Sequence, residues 1–235
     1  EVQSEEVQSE EVQSEEVHGT VEIIIYILCY NENTYNDAVS YYKTYRWAKP
    51  IILENQDYTF ENVFWSQMKN FEAEWEKYNM VGTLSYKAHT KIDIDNVNNI
   101  IEKQLYESNK YFHFLKFNRY VLDNNSDAMR FHPKFNIIWN DLLNHFTFND
   151  CFESSCNFFM CSPYLMKRFI NWYLDSLLPY IKEHPLSFID STYSTSGGLL
   201  TKDNLMNLTG YNYYPLIAFV LERFIPCYFE NIINT

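Results

Sequence analysis

Residues 23–30, IIIYILCY, constrain the fold of this 235-residue chain more than any other stretch. A continuous apolar run rich in β-branched isoleucine offers no polar face to water. As a strand it must be covered on both sides, the condition of a parallel sheet between helical layers. The next sixty residues repeat the pattern. Asn31-Glu32-Asn33-Thr34 reads as a turn with N-capping residues, and 35–47 as a helix. A second apolar run, 48–54 (AKPIILE), carries Pro50 near its start, where a strand tolerates it. Residues 60–78 read as a helix, with Val63, Phe64, Met68, Phe71 and Trp75 at three- and four-residue spacings, and 80–86 (MVGTLSY) as a third strand. The order β-α-β-α-β, with long helical connections, predicts an α/β domain with a parallel sheet and helices on its faces.

Beyond this unit, 95–106 is expected to be helical and 111–117 (YFHFLKF) to be a strand. From about residue 135 helices dominate: 136–146, 163–181 and 201–208, interrupted by a short strand or loop at 153–160, with 219–229 closing the chain. Ser162 and Pro163 suit the start of a helix, and Pro179 is expected to kink its last turn. The expectation is one α/β domain over 19–235.

Residues 1–15 are three copies of EVQSE, and 16–18 begin a degenerate fourth. A five-residue step places the valines on no common face of a helix or strand. One weak hydrophobe per pentad cannot offset the entropy of ordering, so 1–18 is expected to be a disordered acidic tail. Its seven glutamates account for more than half of the net charge of −13. The remaining body is mildly acidic and lacks Lys/Arg clusters, so nucleic acid is not an expected partner. The most apolar run is far shorter than the ~20 residues that cross a bilayer, so no membrane span is expected. No secretory signal is visible, which reads as a soluble intracellular protein. The five cysteines (Cys29, Cys151, Cys156, Cys161, Cys227) are odd in number and widely scattered, unlike a disulfide framework or a zinc site.

Functional motifs are sparse. With five glycines the chain has neither a P-loop nor a dinucleotide fingerprint. A ligand of an open α/β sheet is expected in the crevice at the strand carboxyl ends. Tyr30, Asn31 and Glu32 come after the first strand there, and Ser85, Tyr86 and Lys87 after the third. Tyr30 suits stacking on a base; Asn31 and Glu32 suit hydrogen bonds to base or ribose, or else cap the next helix. Asp93-Ile94-Asp95 has the spacing of an Asp-x-Asp chelating Mg²⁺ or Mn²⁺ against a diphosphate, and equally suits an N-cap. Lys87 and Lys91 lie nearby to balance a diphosphate. No serine sits in a nucleophile elbow, which makes a hydrolase the less expected enzyme class. Asn157 and His184 are polar groups set among aromatics that need partners, in the protein or in a ligand.

Residues 135–229 resemble the C-terminal half of a family of glycosyltransferase-like proteins of giant viruses and some bacteria, which have a GT-A-type fold. The resemblance is carried by His132-Pro133, Cys156-Asn157-Phe158-Phe159-Met160, Pro163 with Leu165-Met166, and Trp172. It continues through His184-Pro185-Leu186-Ser187, Asp190 with Tyr193, Tyr213-Tyr214-Pro215, and Phe219 with Glu222-Arg223; Val81–Lys87 extends it into the first half. It implies a Rossmann-like, mostly parallel sheet with a helix-rich C-terminal half. It also implies a nucleotide-sugar donor at the sheet's carboxyl edge, with Asp93 and Asp95 as the candidate ligands of Mn²⁺ or Mg²⁺. The acceptor, a glycan or protein, would lie beside the helical half, near Asn157, His184 and Tyr193. Asp190, then Glu222, are the implied bases, and Arg223 or Lys87 the groups that stabilise the leaving diphosphate. Because the Asp-x-Asp is displaced from the strand end, a non-catalytic sugar- or nucleotide-binding relative is the alternative. A viral relative would act in the host cytoplasm or virion.

Overall fold

The computed structural model describes residues 22–55, 57–106, 114–117, 132–150, 156–191 and 202–233. The expected tail at 1–18, Cys151 and Tyr193 lie outside them. Five strands form one mixed sheet: β1 (Ile23–Cys29), β2 (Ala48–Ile52), β3 (Met80–Ser85), β4 (Phe114–Lys116) and β5 (Phe159–Cys161), in the order β2-β1-β3-β5-β4. β1 pairs in parallel with both β2 and β3; β5 is antiparallel to β3 and to β4. Four strands thus run one way and β5 against them. The expected α/β class holds; the segment 153–160, which reads as either strand or loop, supplies the reversed strand through its last two residues.

The apolar run at β1 is central, and all seven of its residues are buried. Alternate side chains feed two cores. Ile24, Tyr26 and Leu28 pack with the helices α5 (Phe135–Phe146), α6 (Pro163–Trp172) and α9 (Leu216–Ile233). Ile23, Ile25, Ile27 and Cys29 pack with Ala38 and Tyr42 of α1 (Glu32–Tyr42) and with Val97 and Ile101 of α4 (Ile94–Tyr106). Cys29, Cys156, Cys161 and Cys227 are buried and in no disulfide. No helix among the described residues is long and apolar enough to cross a membrane.

Two expected helices are broken for identifiable reasons. The stretch 60–78 is not continuous. A 3₁₀ turn at Phe60–Val63 leads into α2 (Phe64–Gln67), a second 3₁₀ turn at Met68–Phe71 and α3 (Glu72–Trp75). Phe60, Asn62, Val63, Phe64 and Trp65 are nearly consecutive and all buried, so packing on every side overrides a single helical face. After α6 the chain widens into a π turn, Tyr173–Leu177, in which the Leu178 N–H donates to the Tyr173 carbonyl, before α7 (Leu178–Glu183). Pro179 lacks the N–H that a regular helix would need there. A short α8 (Lys202–Thr209) precedes α9.

Candidate functional site at the carboxyl edge

The parallel strands end together, and each hands on a short connection at the same edge. After β1, Tyr30 turns its ring edge to Tyr86, which comes directly after β3, with centroids 5.8 Å apart. After β2 the chain takes an unusual path: Asn55, Asp57, Tyr58 and Phe60 all have positive φ, between 37° and 61°. Left-handed backbone at aromatic residues is strained and persists only where surrounding contacts over-determine it. Here the contacts are ring stacks. Phe60 lies flat against Tyr214, centroids 3.9 Å apart and 7° between planes, and Tyr58 against Tyr213 at 4.6 Å.

This path delivers Glu61 to the carboxyl edge. Tyr30 donates its hydroxyl hydrogen to Glu61 Oε1 at 3.2 Å. The next residue, Asn62, donates to the carbonyl of Ala218 on α9, which fixes the 3₁₀ turn against that helix. Glu222 lies one turn beyond Ala218, on the same face. Burial pushes the Glu61 carboxyl up to about 7; the Lys91 ammonium opposes the rise and the Glu222 carboxylate adds to it. Glu222 is likewise raised, chiefly by burial, against the pull of Lys91 and Arg223. Two half-buried acids from different elements therefore lie within electrostatic reach of each other and of Lys91, with Tyr30 bonded to Glu61 and packed on Tyr86. Shifted carboxyls of this kind, set beside a cation, are what a general acid or base requires. Pro226 lies inside α9 four residues after Glu222, so it cannot give the Glu222 carbonyl its helical N–H partner.

Asn157 lies under this edge. Continuing the β3–β5 register past Thr83 and Phe159 puts it beside the end of β3. Its Nδ2 donates to Asn62 Oδ1 at 2.8 Å, and Thr83 Oγ donates to its backbone carbonyl at 2.7 Å. Its own Oδ1 is buried without a hydrogen-bond partner among the described residues. Ser85 is buried at the end of β3. Lys87 is exposed, with its ammonium 5.3 Å from the Tyr86 ring centroid.

The remaining sequence candidates have other occupations. Asn31 caps α1: its Oδ1 accepts from the Thr34 N–H, and its Nδ2 donates to the Leu208 carbonyl. Glu32 is exposed in the first turn of α1. Arg223 stands behind Glu222, with Nη1 3.9 Å from Glu222 Oε2 and donating to the Phe219 carbonyl. Its guanidinium lies 5.5 Å from the Phe135 ring centroid. Asp190 is bonded to Lys202 at 2.7 Å in an exposed ion pair, and its backbone bridges to Pro215 at the start of α9. Glu222 is seven residues, about 10 Å, further along. His184 follows α7 as its C-cap. Its Nδ1 accepts from the Leu186 N–H, so its Nε2 carries the proton and faces Asp141 Oδ2 at 3.2 Å.

Asp93 Oδ1 accepts from the N–H groups of Asp95 and Asn96, the N-cap of α4, and Asp95 Oδ1 accepts from the Tyr45 hydroxyl. One oxygen of each carboxylate is thus engaged within the protein. Among the described residues no group of three or more His, Cys, Asp or Glu side chains is placed to hold a metal ion.

Glu61 escapes a reading of the sequence because it falls inside what looks like one amphipathic helix. A signal for it exists nonetheless. Asn55-Gln56-Asp57 is a turn signal directly after β2, and the connection leaving a parallel strand belongs to the carboxyl edge. No protein-family model, curated protein or solved structure matches this chain.

Proposed function

We propose that the chain is a glycosyltransferase of GT-A-like architecture that uses a nucleotide-sugar donor at the carboxyl edge of β1 and β3. The observation that supports this reading is the Glu61–Glu222 pair, both raised by burial and coupled to Lys91, with Tyr30 bonded to Glu61 and packed on Tyr86. In the reaction the anomeric carbon–oxygen bond to the diphosphate breaks, and the nucleoside diphosphate leaves with the electron pair. A bond forms from the anomeric carbon to the acceptor oxygen, whose proton passes to the Glu222 carboxylate. Glu61, protonated near neutrality, donates a hydrogen bond to the leaving phosphate oxygen, while Lys91 and Lys87 offset its charge.

The test is thermal shift and donor turnover with UDP-glucose, UDP-N-acetylglucosamine and GDP-mannose, each with and without Mn²⁺. At least one donor is expected to raise the melting temperature and to be consumed. Glu222→Gln is expected to lower turnover at least 100-fold with the melting temperature within a few degrees of the parent. Unchanged turnover would remove Glu222 from the role of base. Stabilisation without turnover would favour the binding-module alternative, and no response to any donor would overturn both readings.

A further inference from the structure

Asp190, displaced from the acid pair, lines a second feature. Phe188, Asp190, Lys202, Asn212 and Tyr213 border an open depression of about 270 Å³. This is below the ~300 Å³ at which pockets for drug-sized ligands begin, and matches a single ring-sized unit. Its lining mixes two kinds of surface. Phe188 is 37% exposed, and the Tyr213 ring is backed on one side by Tyr58. Around the rings stand a carboxylate that accepts, an ammonium that donates and an exposed amide that does both; the Asp190 and Lys202 side chains are 43% and 62% exposed. A pyranose needs that combination: its C–H face packs on an aromatic ring, and its equatorial hydroxyls find donors and acceptors at the rim.

The depression is also joined to the acid pair by the strained segment before Glu61. Alternate rings of that segment go to different sites. Tyr58 stacks on Tyr213, which lines the depression; Phe60 stacks on Tyr214 and leads directly to Glu61. The adjacent pair Tyr213-Tyr214 divides in the same way, and Ser191, next to Asp190, donates its N–H to the Tyr214 carbonyl. Two ring stacks, Tyr58 on Tyr213 and Phe60 on Tyr214, thus link the depression to the segment that carries Glu61, and the backbone is left-handed at both Tyr58 and Phe60.

We propose that this depression is a sugar-binding subsite, taking one neutral hexose unit of a glycan on Tyr213 and Phe188 with Asp190, Lys202 and Asn212 bonding its hydroxyls. Its description as an acceptor subsite rests on the transferase reading; sugar binding there does not. Saturation-transfer NMR of the full chain, without donor, against maltotriose, cellotriose and chitotriose is the test. At least one of them is expected to bind. Asp190→Asn and Tyr213→Leu are each expected to weaken that binding at least tenfold. Asp190→Asn, a change at an exposed side chain, keeps the result interpretable if Tyr213→Leu misfolds. No transfer to any of the three, or binding equally strong in Asp190→Asn, would overturn the proposal. Trisaccharide binding in a protein that ignores every nucleotide sugar would leave the subsite standing and fell the transferase.

Discussion

Lys91 is the residue through which the two acids are most directly controlled. Its ammonium lies 5.6 Å from the Phe158 ring centroid and 3.9 Å from the Cys156 sulfur, anchored by the segment that enters β5. From there its charge is the largest influence opposing the rise of both Glu61 and Glu222. Lys91→Met is therefore expected to move the Glu61 titration above its value of about 7, and Glu222 upward with it. Carboxyl ¹³C shifts followed through a pH titration would show this. A midpoint that stays put would mean that the ammonium does not reach the pair. Tyr30→Phe acts in the same direction, since the Tyr30 hydroxyl bonds to the charged form of Glu61. If Glu222 is the base and Glu61 the donor, Lys91→Met shifts the rising limb of a pH–rate profile to higher pH, and Tyr30→Phe, acting on Glu61, shifts the falling limb to higher pH.

Among the elements, the junction of β3 with β5 is the most sensitive. A Cβ on Gly82 would stand 2.4 Å from the Phe159 carbonyl oxygen and 2.9 Å from the Met160 Cβ, so the strands approach as closely as they do only because position 82 has no side chain. Gly82→Ala is expected to part them and to cost about 1–3 kcal/mol of stability. Because Asn157 enters β5 from beneath the acid pair, the donor response is expected to weaken too; denaturant unfolding and donor thermal shift read the two effects. The strands themselves are legible in the sequence because an apolar run such as 23–29 has only one way to be satisfied, coverage on both faces. The caps are legible for a similar local reason: Asn31, Asp93 and Ser162 each bond to backbone within three residues of themselves. Glu61 and the separation of Asp190 from Glu222 are not. Both depend on contacts far apart in sequence, Asn62 to Ala218 and Asp190 to Pro215, which leave no periodic trace. The broken stretch 60–75 misleads because a segment buried all round shows the same apolar spacing as a helix buried on a single face.

At the scale of the whole molecule, two buried titrations pull stability in opposite directions. His132 is buried, stacked on Phe219 with centroids 3.7 Å apart and 3.0 Å from the Ser191 hydroxyl. Burial and then the Arg223 charge lower it to about 4 from an ordinary 6.5. As pH falls below 6.5 the unfolded chain gains a proton that the folded one refuses, so this residue removes stability between about 6.5 and 4. Glu61 has the reverse sign. Its folded value of about 7 exceeds the ordinary 4.5, so the unfolded chain releases its proton first, and stability is lost as pH rises from 4.5 through 7. Glu222, also raised from 4.5, adds to the loss in the same direction from that pH upward. Each titration changes stability by about 1.4 kcal/mol per pH unit where it acts alone. In the overlap, from 4.5 to 6.5, the contributions of His132 and Glu61 oppose each other, and the parent protein is expected to show only a shallow slope, downward with pH because Glu222 adds to Glu61. Glu61→Gln removes one side of the balance, so stability should climb with pH across that window. His132→Asn removes the other, so stability should fall. Urea denaturation midpoints at half-unit pH steps would separate the three curves, and a Glu61→Gln curve with the parent's slope would show that Glu61 ionises in the fold as it does in water.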